Sequence, residues 1–189
     1  MRHHLTPPQQ HAHGWISEIY LPIFARCRDR WSRYGEQADR RTETEKLGLV
    51  KWFWSEGAPG SAGPPPELDD AGRTALETLL RNEATIFERV IGEILGSYRT
   101  YVRAEFAREL GDPVLAQRID SLEGICETIA LMGVHLLASA KAEIRYLGLR
   151  FNATWADDHG VGVVLHGDRI VEVGSEDVVW CFTGEAPST

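Results

Sequence analysis

Residues 144–155 read IRYLGLRFNATW, a run in which apolar side chains occupy every second position. One set of alternate positions carries Leu147, Leu149, Phe151, Ala153 and Trp155, and the other carries Tyr146, Gly148, Arg150, Asn152 and Thr154. Successive side chains of a β-strand point to opposite faces of its sheet. The run therefore predicts a strand whose first set of side chains faces the core.

Apolar segments of strand length flank this run on both sides and are separated by turn residues. The segments are residues 128–138, 161–165 and 170–173, and the turns are residues 139–143, 157–160 and 167–168. Together they predict a four-stranded antiparallel β-meander over residues 128–173. Ser175 is expected to cap a last short helix at about 176–181.

The segment before the meander has the apolar spacing of a helix. Leucine, isoleucine, valine and aromatic residues recur at three- and four-residue steps from about 69 to about 108. Asp69 or Asp70 is a suitable N-cap, and the length favours a break near Asn82 or at Gly92–Gly96. The expected continuation is a helix stop at 111–113 and one or two short helices over 114–126.

Two apolar and aromatic runs near the N-terminus, residues 14–24 and 47–54, are predicted to be strands that add to an edge of the meander. Pro22 lacks an amide donor, so the first of them is expected to be an edge strand or to end at a bulge. Residues 25–46 are charged and are expected on the surface. The Gly/Pro-rich residues 55–67 are expected to form a loop.

The expected fold class is α+β, with the antiparallel meander packed against a long helical segment that a break can divide. A flexible arm at residues 1–13 precedes a single domain at 14–189. The parts of this domain are the N-terminal strands and loop (14–66), the helical segment (67–126), and the β-meander with its short C-terminal helix (127–189).

Composition restricts the partners and the compartment. The 189 residues carry a net charge of −8, which disfavours nucleic acid and anionic membrane surfaces as partners and is compatible with a basic protein. The three cysteines are far apart and in no CxxC spacing, so reduced buried thiols are expected in place of a disulfide framework. Neither a signal peptide nor a long apolar run is found, and a cytoplasmic location is expected.

The C-terminal third resembles an uncharacterised bacterial domain family. Members of that family carry a Gly-Val-His strand, a strand ending in Thr-Trp-Asp-Glu-Glu-His-Gly, a Gly-Val strand and a closing Val-Val-Glu-Val-Gly. The matching positions are Gly133, Val134, His135, Thr154, Trp155, Asp158, His159, Gly160, Gly162, Asp168, Arg169, Glu172, Val173 and Gly174. Ala156 and Asp157 depart from the pattern, which leaves the loop one acid short. Some related domains occur near polymorphic toxin genes, so the resemblance implies an immunity-like role.

The best candidate for a metal-binding or catalytic site is the loop that carries Asp157, Asp158 and His159. The fold could also bring His135 and His166 close to this loop. Carboxylates and imidazoles bind divalent cations or transfer protons. The alternative is structural, because Asp, His and Gly are also the residues that a hairpin loop requires. We favour the structural alternative and expect neither a metal nor a cofactor.

Trp52 and Trp54 share one face of the predicted 47–54 strand. Paired aromatic side chains can anchor a protein partner, although packing against the helical segment explains them equally well. The sequence contains no nucleotide-binding, zinc-protease or nucleophile-elbow motif, and no constellation argues for an enzyme.

Three functions therefore remain open. The first is a non-catalytic binding protein, in its most concrete form an immunity protein that neutralises a cognate toxin by occlusion, with Trp52, Trp54 and the Asp157–His159 loop as candidate contacts. The second is a metal-assisted hydrolase or small-ligand binder that uses this loop. The third is a structural module that self-associates through the two tryptophans, and the oligomeric state is left open.

Overall fold

The computed structural model describes residues 5–11, 14–28, 48–54, 67–103, 119–156 and 159–184. Within these ranges, seven strands form one sheet whose spatial order follows the chain. The strands are β1 (Gln9–His11), β2 (Gly14–Tyr20), β3 (Leu49–Trp54), β4 (Ile129–Lys141), β5 (Ile144–Ala153), β6 (Val161–His166) and β7 (Arg169–Gly174). The helices of the same ranges are α1 (Asp70–Arg81), α2 (Glu83–Ser97), α3 (Leu122–Cys126) and α4 (Asp177–Cys181).

The fold class is α+β, as predicted. Strands β4 to β7 form the expected antiparallel meander, and β1 to β3 extend it beyond β4. The contact between β3 and β4 is parallel, with Phe53 beside His135 in the register. Parallel neighbours need a long crossover, and the helical segment lies between these two strands in the chain.

The alternation of β5 is confirmed. Leu149 and Phe151 are fully buried, and Leu147 and Ala153 are nearly so. They pack in the same core as apolar side chains of α1 and α2, among them Leu79, Ile86, Val90, Ile91 and Ile94. Trp155 lies just beyond the strand and is partly buried against this core.

The N-terminus differs from the expectation. Part of the predicted flexible arm lies along the sheet, because β1 pairs with β2 and Leu5 forms an isolated bridge with Ile19. Thr6 exchanges two hydrogen bonds with the backbone of Glu18. Strand β2 is therefore covered on both edges, and it ends at Tyr20, before Pro22 removes an amide donor.

The helical segment begins and divides where the sequence indicates. Asp69 is the N-cap of α1, and its carboxylate accepts a hydrogen bond from the Gly72 amide at 2.7 Å. Arg145 of β5 donates to the same carboxylate at 3.0 and 3.1 Å, which ties the helix start to the sheet. This guanidinium lowers the pKa of Asp69. The break falls at Asn82, and the predicted stop at 111–113 lies outside the described residues.

The C-terminal helix is present at the expected place, but Ser175 does not cap it. The Ser175 hydroxyl donates to the Asp177 carboxylate at 3.3 Å. The residue that precedes the helix is Glu176, whose side chain makes no capping hydrogen bond. In the described part of the chain, no helix has the length and apolar character needed to cross a membrane.

A buried carboxylate fixes the chain that follows β2. Glu83, at the start of α2, is 8% exposed and accepts hydrogen bonds from the amides of Ile23 and Phe24 at 2.7 and 3.1 Å. Burial raises the pKa of Glu83, and the two amide hydrogen bonds oppose that rise. The carboxylate therefore stabilises a short 3-10 turn at Phe24–Arg26 that sequence periodicity does not reveal.

We expect Glu83→Ala to lower the free energy of unfolding by about 2 kcal/mol, because it leaves two amides near the core without an acceptor. Glu83→Gln, which keeps a carbonyl oxygen, should lose less. Glu88→Ala, on the exposed face of the same helix, should stay within about 0.5 kcal/mol of the wild type. Urea unfolding of the three variants is the measurement, and an equal loss for Glu83→Ala and Glu88→Ala would contradict this role.

Candidate functional site

Helix α4 lies on the face of the sheet opposite to α1 and α2. Glycines clear its path: an added Cβ at Gly148 would lie 2.4 Å from Val179, and one at Gly162 or Gly174 would lie 2.7 Å from Val178. These contacts are shorter than side chains tolerate, so the glycines let the helix sit directly on the strands. The second apolar cluster that results contains Leu137, Tyr146, Val164 and Val179, with Val171, Val178 and Phe182 packed against it.

Beside this helix, five side chains form a surface cluster that we name the Trp180 patch: Phe53, His135, Arg150, Glu176 and Trp180. The imidazole of His135 stacks on the Phe53 ring at 4.3 Å with an interplanar angle of 3°. The Trp180 indole also packs on His135, with ring centroids 4.6 Å apart and an interplanar angle of 75°. Strand β3, strand β4 and α4 each supply one ring, so the patch joins distant parts of the chain.

Arg150 completes the patch from β5. Its guanidinium carbon lies 5.8 Å from the Phe53 ring centroid and 5.9 Å from that of Trp180. The guanidinium also lies 3.7 Å from the Glu176 carboxylate. The cation is thus held between two aromatic rings and one acid, with part of its side chain still open to solvent.

His135 acts here as a neutral aromatic ring. It is 3% exposed, and its Nε2 atom has no hydrogen-bond partner. Burial, and secondarily the charge of Arg150, lower the pKa of His135 to about 3. Such an imidazole is uncharged at neutral pH and is a poor proton acceptor.

Trp180 gives the patch its exposed surface. The indole is 55% exposed, although His135 and Arg150 hold it from below. Exposed tryptophan and arginine are the side chains that most often dominate the energy of protein–protein contacts. The arrangement can therefore bind an apolar or acidic group of a partner without rearranging its own support.

The two tryptophans predicted to contact a partner lie elsewhere. Trp52 is fully buried and Trp54 is 9% exposed, and both belong to the main core. The Trp54 indole nitrogen donates to Ser17 at 3.3 Å. Both side chains point from β3 into the core, as expected if they pack against the helical segment. A partner would have to open the sheet to reach Trp52.

The predicted loop is described only in part. Asp157 and Asp158 lie outside the described residues. His159 is exposed, and its carbonyl accepts a hydrogen bond from the Glu176 amide at 2.9 Å. Gly160 has φ +51°, and an added Cβ would lie 2.4 Å from the Phe151 carbonyl oxygen. The described half of the loop therefore has the geometry of a tight connection that requires glycine.

His135 and His166 do not lie beside His159, the residue of the predicted 157–159 site that the structure describes. His166 lies at the opposite end of β6 from His159, and its Nε2 atom is 2.8 Å from the Lys141 carbonyl. His135 pairs with Gly148 of β5, whereas the start of β6 pairs with Phe151. Gly148 and Phe151 are three positions apart on β5, which is about 10 Å. Among the residues that the structure describes, no group of three His, Cys, Asp or Glu side chains is placed to hold a metal.

A second surface feature is a groove of about 480 Å³ between α2 and the β6–β7 turn. Arg89 spans it and donates to both the carbonyl and the carboxylate of Asp168 at 3.0 Å. Asp168 thus connects the β6–β7 turn to α2. Asp168 is one of the positions that match the family pattern, and these contacts give it a structural role.

Sequence reasoning missed the Trp180 patch although two of its signals were present. Alternation placed Arg150 on the face of β5 away from the core, and the same alternation places Phe53 opposite to Trp52 and Trp54. The position of α4 over these side chains is a tertiary property, and no local pattern reports it.

The fold is α+β, with one face of the sheet packed against α1 and α2 and the other face packed against α4 and the side chains of the Trp180 patch. The chain belongs to the family described as a domain of unknown function, DUF6985, whose model matches residues 60–180. This region runs from just before α1 to Trp180. No curated protein and no solved structure matches the chain significantly.

We expect Gly148→Ala to destabilise the chain by about 1–3 kcal/mol, because the new methyl group overlaps Val179. The backbone fixes the position of the alanine methyl group, so rotation of the alanine side chain cannot relieve the overlap. Gly92→Ala is the matched control. An added Cβ meets nothing within 4 Å there, and helix propensity should raise stability by about 0.5–1 kcal/mol. Urea unfolding should therefore give shifts of opposite sign for the same chemical change, and shifts of one sign would contradict the seating of α4.

We also expect His135→Phe to reduce the loss of stability in mild acid. The unfolded chain protonates this imidazole below its ordinary pKa of 6.5, whereas the folded chain keeps it neutral down to about 3. The contribution of the neutral His135 to the free energy of unfolding is therefore present above pH 6.5. It is lost as the pH falls, by up to about 1.4 kcal/mol per pH unit. Between pH 7 and pH 5 the wild type should lose about 2 kcal/mol more than the variant.

The measurement is urea unfolding of both proteins at pH 7 and pH 5. The variant also removes a buried nitrogen that has no partner, so it should fold at pH 7. Equal losses for the two proteins would show that His135 is not held neutral.

Proposed function

We propose that the chain is a non-catalytic protein-binding domain that acts by occlusion, with the Trp180 patch at the centre of its contact surface. The observation that carries this proposal is the 55% exposed Trp180 indole, supported by a buried imidazole and flanked by Arg150. Large apolar side chains on a surface that are fixed in place are characteristic of contact sites.

Rigidity favours this patch over other exposed apolar groups. Association is weakened when loose side chains must be ordered at the interface. The Phe53–His135 stack and the Arg150–Glu176 ion pair hold the support of Trp180 before a partner arrives. The patch therefore needs little ordering when it binds.

The charge of the chain favours a basic partner. A net charge of −8 accelerates encounter with a positively charged protein and disfavours nucleic acid. The concrete form we propose is a bacterial, cytoplasmic immunity protein that covers the surface of a cognate toxin. The resemblance of the meander to domains found near toxin genes supports this form.

The test is binding to the product of the adjacent gene, measured with purified proteins by calorimetry and by survival on co-expression. Trp180→Ala should weaken binding by about 30-fold or more, which corresponds to the energy of a dominant interface side chain. Arg150→Gln should also weaken it. Leu122→Ala is the matched control, because Leu122 is an exposed apolar residue in α3, away from the patch.

Absence of both a complex and protection from the co-expressed protein would argue against an immunity role. A complex that Trp180→Ala and Arg150→Gln leave unchanged would argue against the patch as its contact surface. Urea unfolding of each variant separates loss of binding from loss of fold.

A further inference from the structure

Two cysteines that are distant in the chain meet in the core. Cys27 follows the 3-10 turn, and Cys126 ends α3, 99 positions later. Their sulfur atoms are 2.7 Å apart. The backbones also run side by side, because the Arg28 amide donates to the Cys126 carbonyl at 2.7 Å.

This geometry points to a modification site: we propose that Cys27 and Cys126 form an intramolecular disulfide when a low-molecular-weight disulfide such as oxidised glutathione is present. The sulfurs of a disulfide are about 2.0 Å apart, so the two side chains need to approach by less than about 1 Å. The adjoining backbones already hold both residues, so bond formation requires no rearrangement of an element.

The exchange is balanced by the small disulfide. The thiolate of one cysteine attacks a sulfur of oxidised glutathione, and one glutathione thiolate leaves. The thiolate of the second cysteine then attacks the protein-bound sulfur of this mixed disulfide and releases the second glutathione. The two cysteines are oxidised, one glutathione disulfide is reduced to two thiols, and the cysteine protons end on the released thiolates.

Burial decides when the bond can form. Cys27 is fully buried and Cys126 is 8% exposed, so neither thiol meets an oxidant readily once the chain has folded. Buried thiols in apolar surroundings react slowly, and we expect the bond to form mainly as the chain folds. Once formed, the same burial protects it from reduction.

The third cysteine provides an internal control. Cys181 is exposed in α4, on the opposite face of the sheet from the core that contains Cys27. It is therefore expected to remain a thiol, and alkylation distinguishes it from the pair.

The experiment is refolding of the full chain from denaturant in oxidised and reduced glutathione, followed by alkylation in denaturant and mass measurement. The wild type should retain one alkylatable thiol, and Cys181→Ser should retain none. Peptide mapping should join Cys27 to Cys126. Refolding makes oxidant access equal for all three thiols, so slow reaction in the native state does not obscure the result.

Thermal unfolding gives a second readout. The oxidised wild type should melt about 10 °C above its reduced form, because the bond closes a long loop. Cys27→Ser and Cys126→Ser should each lose that difference, whereas Cys181→Ser should keep it. Three alkylatable thiols in the refolded wild type, or a disulfide that includes Cys181, would overturn the proposal. These outcomes are independent of whether the Trp180 patch binds a partner.

Discussion

Strand β5 packs against helices on both of its faces, and the rest of the domain depends on this packing. One face presents Leu147, Leu149 and Phe151 to the core shared with α1 and α2. The other face has Gly148 at its centre, so α4 can approach the strand closely. A larger residue at position 148 would push α4 away from the strand and separate Trp180 from His135 and Arg150. Core packing and the candidate contact surface thus depend on one strand.

The two faces of the sheet differ in chemistry. The core face combines aliphatic side chains with rings such as those of Phe24, Trp52 and Phe151, and Glu83 is a buried carboxylate there that two amides satisfy. The second face contains an imidazole that burial keeps neutral and an arginine held between two rings. Such a surface can present charge and aromatic area together, which a purely aliphatic face cannot do.

Much of this architecture could be predicted from local pattern. Period-two alternation predicts β5, and helical spacing with Asp69 and Asn82 predicts α1 and α2. Glycine predicts the β5–β6 and β6–β7 turns, whereas the turn between β4 and β5 places Ala142 and Glu143 at positive φ. The parallel pairing of β3 with β4 could not be predicted, because a register between strands more than 70 residues apart leaves no local trace. Trp52 and Trp54 share one face of a strand, but sequence alone does not say whether that face meets solvent or the core. The Cys27–Cys126 contact could not be predicted either, because the two residues are 99 positions apart in the chain.

The parallel strand pair has a consequence for the limits of the family. The family model begins at residue 60, after β1, β2 and β3, yet β3 occupies the hydrogen-bonding edge of β4. A relative that shares only the matched region would present β4 as a bare, strongly apolar edge, which invites pairing with other chains and aggregation. In this chain the N-terminal strands cover that edge and so block such pairing.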